Sequence, residues 1–261
     1  MLNKSFSVIV SNKIKTFKKT ISVDSDKSIS IRSFLIGAIS HNISEVKNVL
    51  ESEDVFSTIG CLRKLGVKIK KIKKKHYLVY GKGLGSLYAR NNTLLDCGNS
   101  GTLTRLLVGI LSTTPRIQVK ITGDKSLQKR NISKLINLMS EFGAEFEKNK
   151  INLPLKMISS AMPVGITYES GVSAQLKSAV ILAGLNSFGT TEIIEDKKSR
   201  DHTENLLIKN SQAIKIKKGR RKIIKIYGKK NLNRINIDVP GDPSSAAFFV
   251  ALTLLSNNSS L

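Results

Sequence analysis

The sequence predicts an α/β fold of repeated βαβαββ units, three to a domain, with apolar helices enclosed by sheets as an inside-out α/β barrel. Three observations carry that prediction. Four segments share one design, a knot of small polar residues leading into an apolar helix. Their leading serines, Ser28, Ser100, Ser173 and Ser244, recur about every 72 residues, longer than the periods of solenoids. Between the knots lies a second series in which a helix stops at a glycine, Gly66 or Gly143, and passes into a strand. Finally, segments such as 178–185 are apolar on every side, the pattern of a helix buried all round.

Taken in order, Asp26-Lys27-Ser28-Ile29-Ser30-Ile31-Arg32 runs into Phe34, Leu35 and Ile36. Gly98-Asn99-Ser100-Gly101-Thr102 precedes Leu103, Leu106, Leu107, Ile110 and Leu111, whose spacing is that of one helix face. Gly171 to Lys177 leads into Val180, Ile181 and Leu182, and Gly241-Asp242-Pro243-Ser244-Ser245 leads into Ala246 to Phe249. In the second series, 61–69 parallels 138–146, with 206–214 as a weaker copy. Hairpins are expected after each, pairing 67–72 with 77–80, 144–147 with 151–153, and 214–217 with 222–227. Residues 21–236 then form a three-unit domain. Residues 1–20 are expected as a strand of a second domain that restarts at 237–261, its bulk lying outside this sequence, because a helix and a few strands cannot bury their apolar faces alone.

The formal net charge of +24 points to anionic partners, whether nucleic acid, a membrane surface or small substrates. Most of the excess lies in 67–75 and 215–234, where lysine alternates with Val67, Ile69, Ile72, Ile216, Ile224 and Ile226. That alternation favours half-buried strands with a solvated lysine face over a polyanion-binding surface, and it lacks the interleaved aromatics of a single-strand platform. The basic start of the chain has no continuous apolar core or small-residue cleavage site, so no signal peptide is read. The longest apolar run, 246–255, is far short of the roughly 20 residues of a membrane helix. Two cysteines, Cys61 and Cys97, and three scattered histidines give neither a disulfide framework nor metal-ligand spacing. A cytoplasmic protein without metal is the expectation.

Each knot places capping side chains where a helix leaves its first N–H groups unpaired, at the positive end of its dipole. One such terminus is more often a capping box than a ligand site. Three arranged about a pseudo-three-fold axis would bring Lys27, Ser28 and Arg32 to Asn99, Ser100, Gly101 and Thr102, and to Ser173, Ala174 and Gln175. Such a cluster suits phosphate and carboxylate groups. Arg105 sits one turn into its helix, Arg130 in the loop after Gly123-Asp124, and Arg200 in Ser199-Arg200-Asp201-His202-Thr203-Glu204. His202 reads more readily as a structural histidine than as an acid or base, since no nucleophile or second base stands near it.

Together these blocks resemble the 3-phosphoshikimate 1-carboxyvinyltransferase (EPSP synthase) family. The matching pieces are Asp26-Lys27-Ser28-Ile29-Ser30 with Arg32, 95–102 with Arg105, and Gly123-Asp124 with Ser126, Leu127 and Arg130. They continue with Ser173-Ala174-Gln175 and Lys177-Ser178-Ala179, then 199–204, then Val239-Pro240-Gly241-Asp242 with 244–249. The resemblance implies an enolpyruvyl transferase fold and transfer of the enolpyruvyl group of phosphoenolpyruvate to the 5-hydroxyl of shikimate 3-phosphate, with release of phosphate. It implies Lys27 as catalytic residue between both substrates. It implies Ser28, Arg32, Ser173, Ala174, Gln175 and Arg200 on shikimate 3-phosphate, and Asn99, Gly101, Arg130 and Gln175 on phosphoenolpyruvate. No cofactor, metal, nucleic acid or membrane is implied, and the whole protein is expected as a monomer. The small Gly101 leaves room for the family inhibitor glyphosate. The chain departs from the family pattern at Asp24-Ser25, where Pro-Gly is usual, at Ile31 in place of histidine, and at Asn131 in place of proline.

Two rival readings are the sister transferase acting on UDP-N-acetylglucosamine, which Lys27-Ser28 with Arg32 and 199–202 disfavour, and a non-catalytic basic nucleic-acid-binding protein. The family's proton-transfer carboxylates and lysine fall outside the matched blocks. Residues 1–261 are therefore expected to bind shikimate 3-phosphate weakly and not to turn over; a steady-state assay finding full activity would refute this.

Overall fold

A computed structural model describes residues 16–261. The chain divides into two compact units, Ser25–Pro240 and a smaller one of Gly241–Leu261 with the described residues up to Asp24. Of the expected strand at 1–20, residues 1–15 lie outside the described residues.

In the large unit the first repeat contains α1 (Lys27–Ile39), β1 (Ile43–Lys47), α2 (Glu53–Lys64), β2 (Lys68–Lys73) and β3 (His76–Tyr80). The second contains β4 (Thr93–Asp96), α3 (Gly101–Ser112), β5 (Gln118–Thr122), the short α4 (Lys125–Gln128), α5 (Ser133–Glu141), β6 (Glu145–Phe146) and β7 (Leu155–Ile158). The third contains β8 (Thr167–Ser170), α6 (Ala174–Gly184), β9 (Thr190–Glu195), α7 (His202–Ile208), β10 (Ile214–Lys217) and β11 (Lys222–Tyr227). Last comes β12 (Asn236–Asp238). The strands form three four-stranded sheets, ordered β12-β1-β3-β2, β4-β5-β7-β6 and β8-β9-β11-β10. In each, one parallel pair leads into two antiparallel ones: β4 with β5, β8 with β9, and β12 with β1. The first repeat thus takes its leading strand from after the third, and β12 straddles the division expected at residue 236.

α1, α3 and α6 are the enclosed helices. Every residue from Ser30 to Ile39 is buried, as is every residue from Lys177 to Gly184. With no polar face, these helices gain most by burying both sides, roughly 1.5–3 kcal/mol for each large aliphatic side chain. α2 and α5 instead bury one stripe, Val55, Ile59 and Leu62 in α2, and Leu135, Leu138 and Met139 in α5. α3 and α6 cross at Gly109, where an added Cβ would lie 2.6 Å from the Ala179 carbonyl oxygen.

Apart from Lys222, the lysine-rich strands put lysine outward. Ile69 is buried between exposed Lys68 and Lys70, and the same alternation orders β11 around Ile224 and Ile226. Lys68 Nζ lies 4.8 Å above the Tyr80 ring, Lys71 pairs with Glu51 at 2.8 Å and Lys225 with Glu192 at 2.9 Å. Gly66 and Gly143 end their helices at φ +83° and +90°, a conformation that favours glycine.

In the large unit one knot is capped by a residue other than its leading serine, and one expected hairpin needs correction. The first knot is capped by Asp26, whose carboxylate accepts from the Ile29 N–H at 2.8 Å; Ser28 lies inside the helix. Ser100 and Ser173 do cap α3 and α6. The hairpin after Ala144 returns through Leu155–Ile158, not 151–153, with Glu145 opposite Ile158 and Phe146 opposite Met157. Pro154 has no N–H to give a ladder, and only beyond it do Leu155 and Met157 alternate inward with Lys156 and Ile158 outward.

In the small unit α8 (Pro243–Leu254) is capped by Asp242 and has no buried residue; Phe248 and Leu254 are 80% and 82% exposed.

The two helix glycines make opposite predictions. Gly109→Ala should lower stability by about 1–3 kcal/mol, because backbone must move to admit the methyl group. Gly60→Ala, exposed within α2 with nothing near its added Cβ, should raise it by about 0.5–1 kcal/mol. Urea denaturation of both variants checks the pair.

Candidate functional site

Two polar clusters form around the starts of the enclosed helices. In the first, Arg32 reaches from α1 across to α6 and α7. Its Nε donates to Thr203 Oγ1 at 2.8 Å, Nη2 to Ser178 Oγ at 3.2 Å, and Nη1 to the Ser28 carbonyl and hydroxyl, both at 3.1 Å. Thr203 Oγ1 donates to Ser178 Oγ at 2.9 Å, closing the ring of hydroxyls. These partners are all neutral oxygens, so the guanidinium is held without direct neutralisation. Burial lowers its pKa to about 10, against the raising effect of Glu204 and Asp26; Arg200 lowers it further. Arg32 therefore stays cationic at neutral pH.

The second cluster surrounds Gly101 at the start of α3. A Cβ there would lie 2.8 Å from Arg105 Nη1 and 2.9 Å from Arg130 Nη1, so two guanidinium groups flank this glycine. Arg105 donates to the Gly101 carbonyl at 3.0 Å, and burial followed by the Arg130 charge lowers its pKa. Arg130 Nη2 donates to Asn99 Oδ1 at 2.8 Å, and Asn99 Nδ2 donates to Asp124 Oδ2 at 2.5 Å. Gln175 Nε2 donates to Thr102 Oγ1 at 3.0 Å, tying the start of α6 to that of α3.

The other residues singled out from sequence lie as follows. Lys27 is half exposed at the first position of α1 and pairs with Asp54 at 3.2 Å. Ser173 caps α6, accepting from the Leu176 N–H at 3.3 Å, with Ala174 at its first position. Arg200 is exposed in the loop before α7, near enough to Arg32 and His202 for its charge to lower both pKa values. His202 is pushed down chiefly by burial, and its Nδ1 is buried without a hydrogen-bond partner. Among the described residues no His, Cys, Asp or Glu cluster could hold a metal, and no helix is long and apolar enough to cross a membrane.

Ser178 and Thr203 stand in the matched motifs without a role that the sequence can show, because their partner Arg32 is distant in sequence. Behind the site lies a buried ionic cluster that the motifs likewise do not show. Lys177 Nζ, fully buried, contacts Glu195 Oε1 and Glu204 Oε1, each at 2.7 Å. Lys222 reaches Glu195 Oε2 at 3.0 Å and Glu204 Oε1 at 3.5 Å. The available signal was a lysine immediately before the apolar run 178–185, where a buried ammonium demands a carboxylate.

The three four-stranded sheets around enclosed helices, with arginines gathered at the helix starts, define an enolpyruvyl transferase-type α/β protein. The model of the EPSP synthase (3-phosphoshikimate 1-carboxyvinyltransferase) family matches residues 11–260, and the chain belongs to that family. It is 42% identical over 250 residues to the 3-phosphoshikimate 1-carboxyvinyltransferase of Novosphingobium aromaticivorans, covering 94% of this chain and 56% of that one. It is 40% identical to the Bacillus subtilis protein of the same name, covering 95% of this chain and 57% of that one. A solved structure of EPSP synthase from Acinetobacter baumannii superposes with a TM-score of 0.82 at 36% identity, over 93% of this chain and 54% of that chain. The chain spans about half the length of the curated relatives it matches.

The ionic cluster makes stability acid-sensitive. Burial alone would raise the Glu195 carboxyl, but hydrogen bonds from Lys177, Ser199 and Lys222 hold it at about 2, against an ordinary 4.5. A depressed carboxyl stabilises fully above its unfolded pKa and loses that contribution as pH falls toward the folded one. The urea midpoint should therefore drop between about pH 5 and pH 3, and Glu195→Gln should drop less over that interval. Parallel curves for the two proteins would contradict the assignment.

Proposed function

We propose that this chain takes part in enolpyruvyl transfer from phosphoenolpyruvate to the 5-hydroxyl of shikimate 3-phosphate, giving 5-enolpyruvylshikimate 3-phosphate and phosphate in aromatic amino acid biosynthesis. Family membership supports the reaction class. The observation that carries the substrate side is Arg32, a buried cation fixed by neutral hydroxyls beside the start of α6. A phosphate is the ligand that an unneutralised guanidinium and a capped helix start favour together.

In this reading Lys27 is the catalytic residue between the two substrates. Ser28, Arg32, Ser173, Ala174, Gln175 and Arg200 hold shikimate 3-phosphate. Asn99, Gly101, Arg130 and Gln175 hold phosphoenolpyruvate. The Gln175–Thr102 bond gives the two subsites a common wall, as a reaction between two polyanions needs. The three-unit domain at 21–236, the second domain at 1–20 and 237–261, a monomeric whole protein and a cytoplasmic location belong to the same proposal. Two free, buried cysteines, Cys61 and Cys97, fit a reducing compartment. The nucleic-acid alternative is disfavoured by the lysines laid over tyrosines and paired with glutamates on the sheet faces.

Calorimetric titration tests the reading. Shikimate 3-phosphate should bind, shikimate lacking the phosphate should bind far more weakly, and Arg32→Ala should cost about ten- to a hundredfold, the worth of a charged hydrogen-bonding group. Equal affinity for the two shikimates, or tight salt-sensitive binding of single-stranded DNA instead, would overturn it.

A further inference from the structure

Lys177 stands where three parts of the candidate phosphate site meet, yet touches no solvent. It lies on the first turn of α6, adjoining Ser178, whose hydroxyl accepts from Arg32 and from Thr203. Its first carboxylate, Glu195, ends β9. That same Oε1 accepts from the Ser199 N–H at 3.0 Å and the Ser199 hydroxyl at 2.8 Å, anchoring the 196–201 loop that carries Arg200. Its second carboxylate, Glu204, adjoins Thr203 on α7, and Thr203 holds Arg32 Nε at 2.8 Å. Three short paths therefore leave one ammonium: through Ser178 to Arg32, through Glu204 and Thr203 to Arg32, and through Glu195 and Ser199 to the Arg200 loop.

We propose that Lys177, with Glu195 and Glu204, is a positioning cluster that sets the anion-binding geometry of Arg32 and of the 196–201 loop. The proposal rests on the reading of this site as a holder of shikimate 3-phosphate. Lys177 and Glu204 are fully buried and Glu195 is 2% exposed, so their action on a ligand passes through other residues. For stability alone an apolar side chain would serve as well, since desolvating an ion pair offsets much of its attraction. What the ions add is direction: an ammonium has three donors, and two carboxylates at 2.7 Å fix α6, β9 and α7 relative to one another. Lys222 joins from β11, so removing one cation and one carboxylate together leaves the remaining pair, Glu195 and Lys222, in balance.

That balance supplies the test. Lys177→Met alone leaves two buried carboxylates on Lys222 and should destabilise. The double variant Lys177→Met/Glu204→Gln should recover stability to near wild type, while affinity for shikimate 3-phosphate stays at least about tenfold down because the hydroxyl cradle is no longer fixed. Affinity within about twofold of wild type in the folded double variant would overturn the proposal. Should that variant not fold, Glu204→Gln, which keeps the Lys177–Glu195 contact, is read in the same way. Amide hydrogen exchange gives a ligand-independent readout: exchange at 199–203 should quicken by about tenfold or more in the variant, and unchanged protection there would overturn the cluster's role. If wild-type protein fails to bind shikimate 3-phosphate, the functional reading falls, and exchange at 199–203 still decides whether the cluster holds the loop.

Discussion

A helix buried on every side meets polar surroundings only at its ends, and that constraint organises this molecule. α1, α3 and α6 carry no polar stripe that could face water, so the sheets must lie outside them and their capped starts become the polar places of the interior. The starts are bound to one another: Gln175 to Thr102 joins α6 to α3, and Arg32 to Ser178 joins α1 to α6. The close crossing at Gly109 and Ala179 permits this, since α3 and α6 approach backbone to backbone where Gly109 has no Cβ. Functional geometry here is a consequence of core packing.

The large positive charge is divided between two kinds of side chain with different tasks. Lysines occupy the outward faces of β2, β10 and, apart from Lys222, β11, where the Lys68 and Lys215 ammonium groups lie over the Tyr80 and Tyr227 rings. Of the arginines near the helix starts, Arg32 is held inside by hydroxyls, Arg105 is part-buried against the Gly101 carbonyl, and Arg130 is exposed on the Asn99 amide. A planar guanidinium can satisfy several such neutral acceptors and keep its charge, which a lysine would give up more readily on burial. Net charge alone could not separate these roles; the alternation of lysine with isoleucine in the strands could.

The repeat was legible because it is written locally. Polar knots, helical periodicity, glycine helix ends and alternating strands each depend on neighbours a few residues away, and all recur. What escaped was set at longer range. Which residue of the first knot caps α1, Asp26, follows from where the helix begins, since Asp26 and Ser28 are both competent caps. That Leu155–Ile158 is the return strand follows from pairing with β5 as well as β6. The partner of β1 comes from Asn236–Asp238, after the whole third repeat. Thr203 and Ser178 gained meaning only once Arg32 was beside them.

Arg32 shows why such a site resists reading from motifs alone. Paired with a carboxylate, it would be a structural ion pair with little left for a ligand. Held by Thr203, Ser178 and Ser28, it keeps a full charge in a desolvated place, and burial has already weakened its hold on the proton. In the proposed reading, an arriving phosphate would add counter-charge to that of the nearby Glu204 and Asp26, with no direct ion pair of Arg32 to break first. The same hydroxyls fix the direction of the guanidinium, so the ordering cost of binding is met during folding. The cradle and the ionic cluster behind it thus act at different depths, neutral oxygens leaving the charge available and buried charges keeping those oxygens in place.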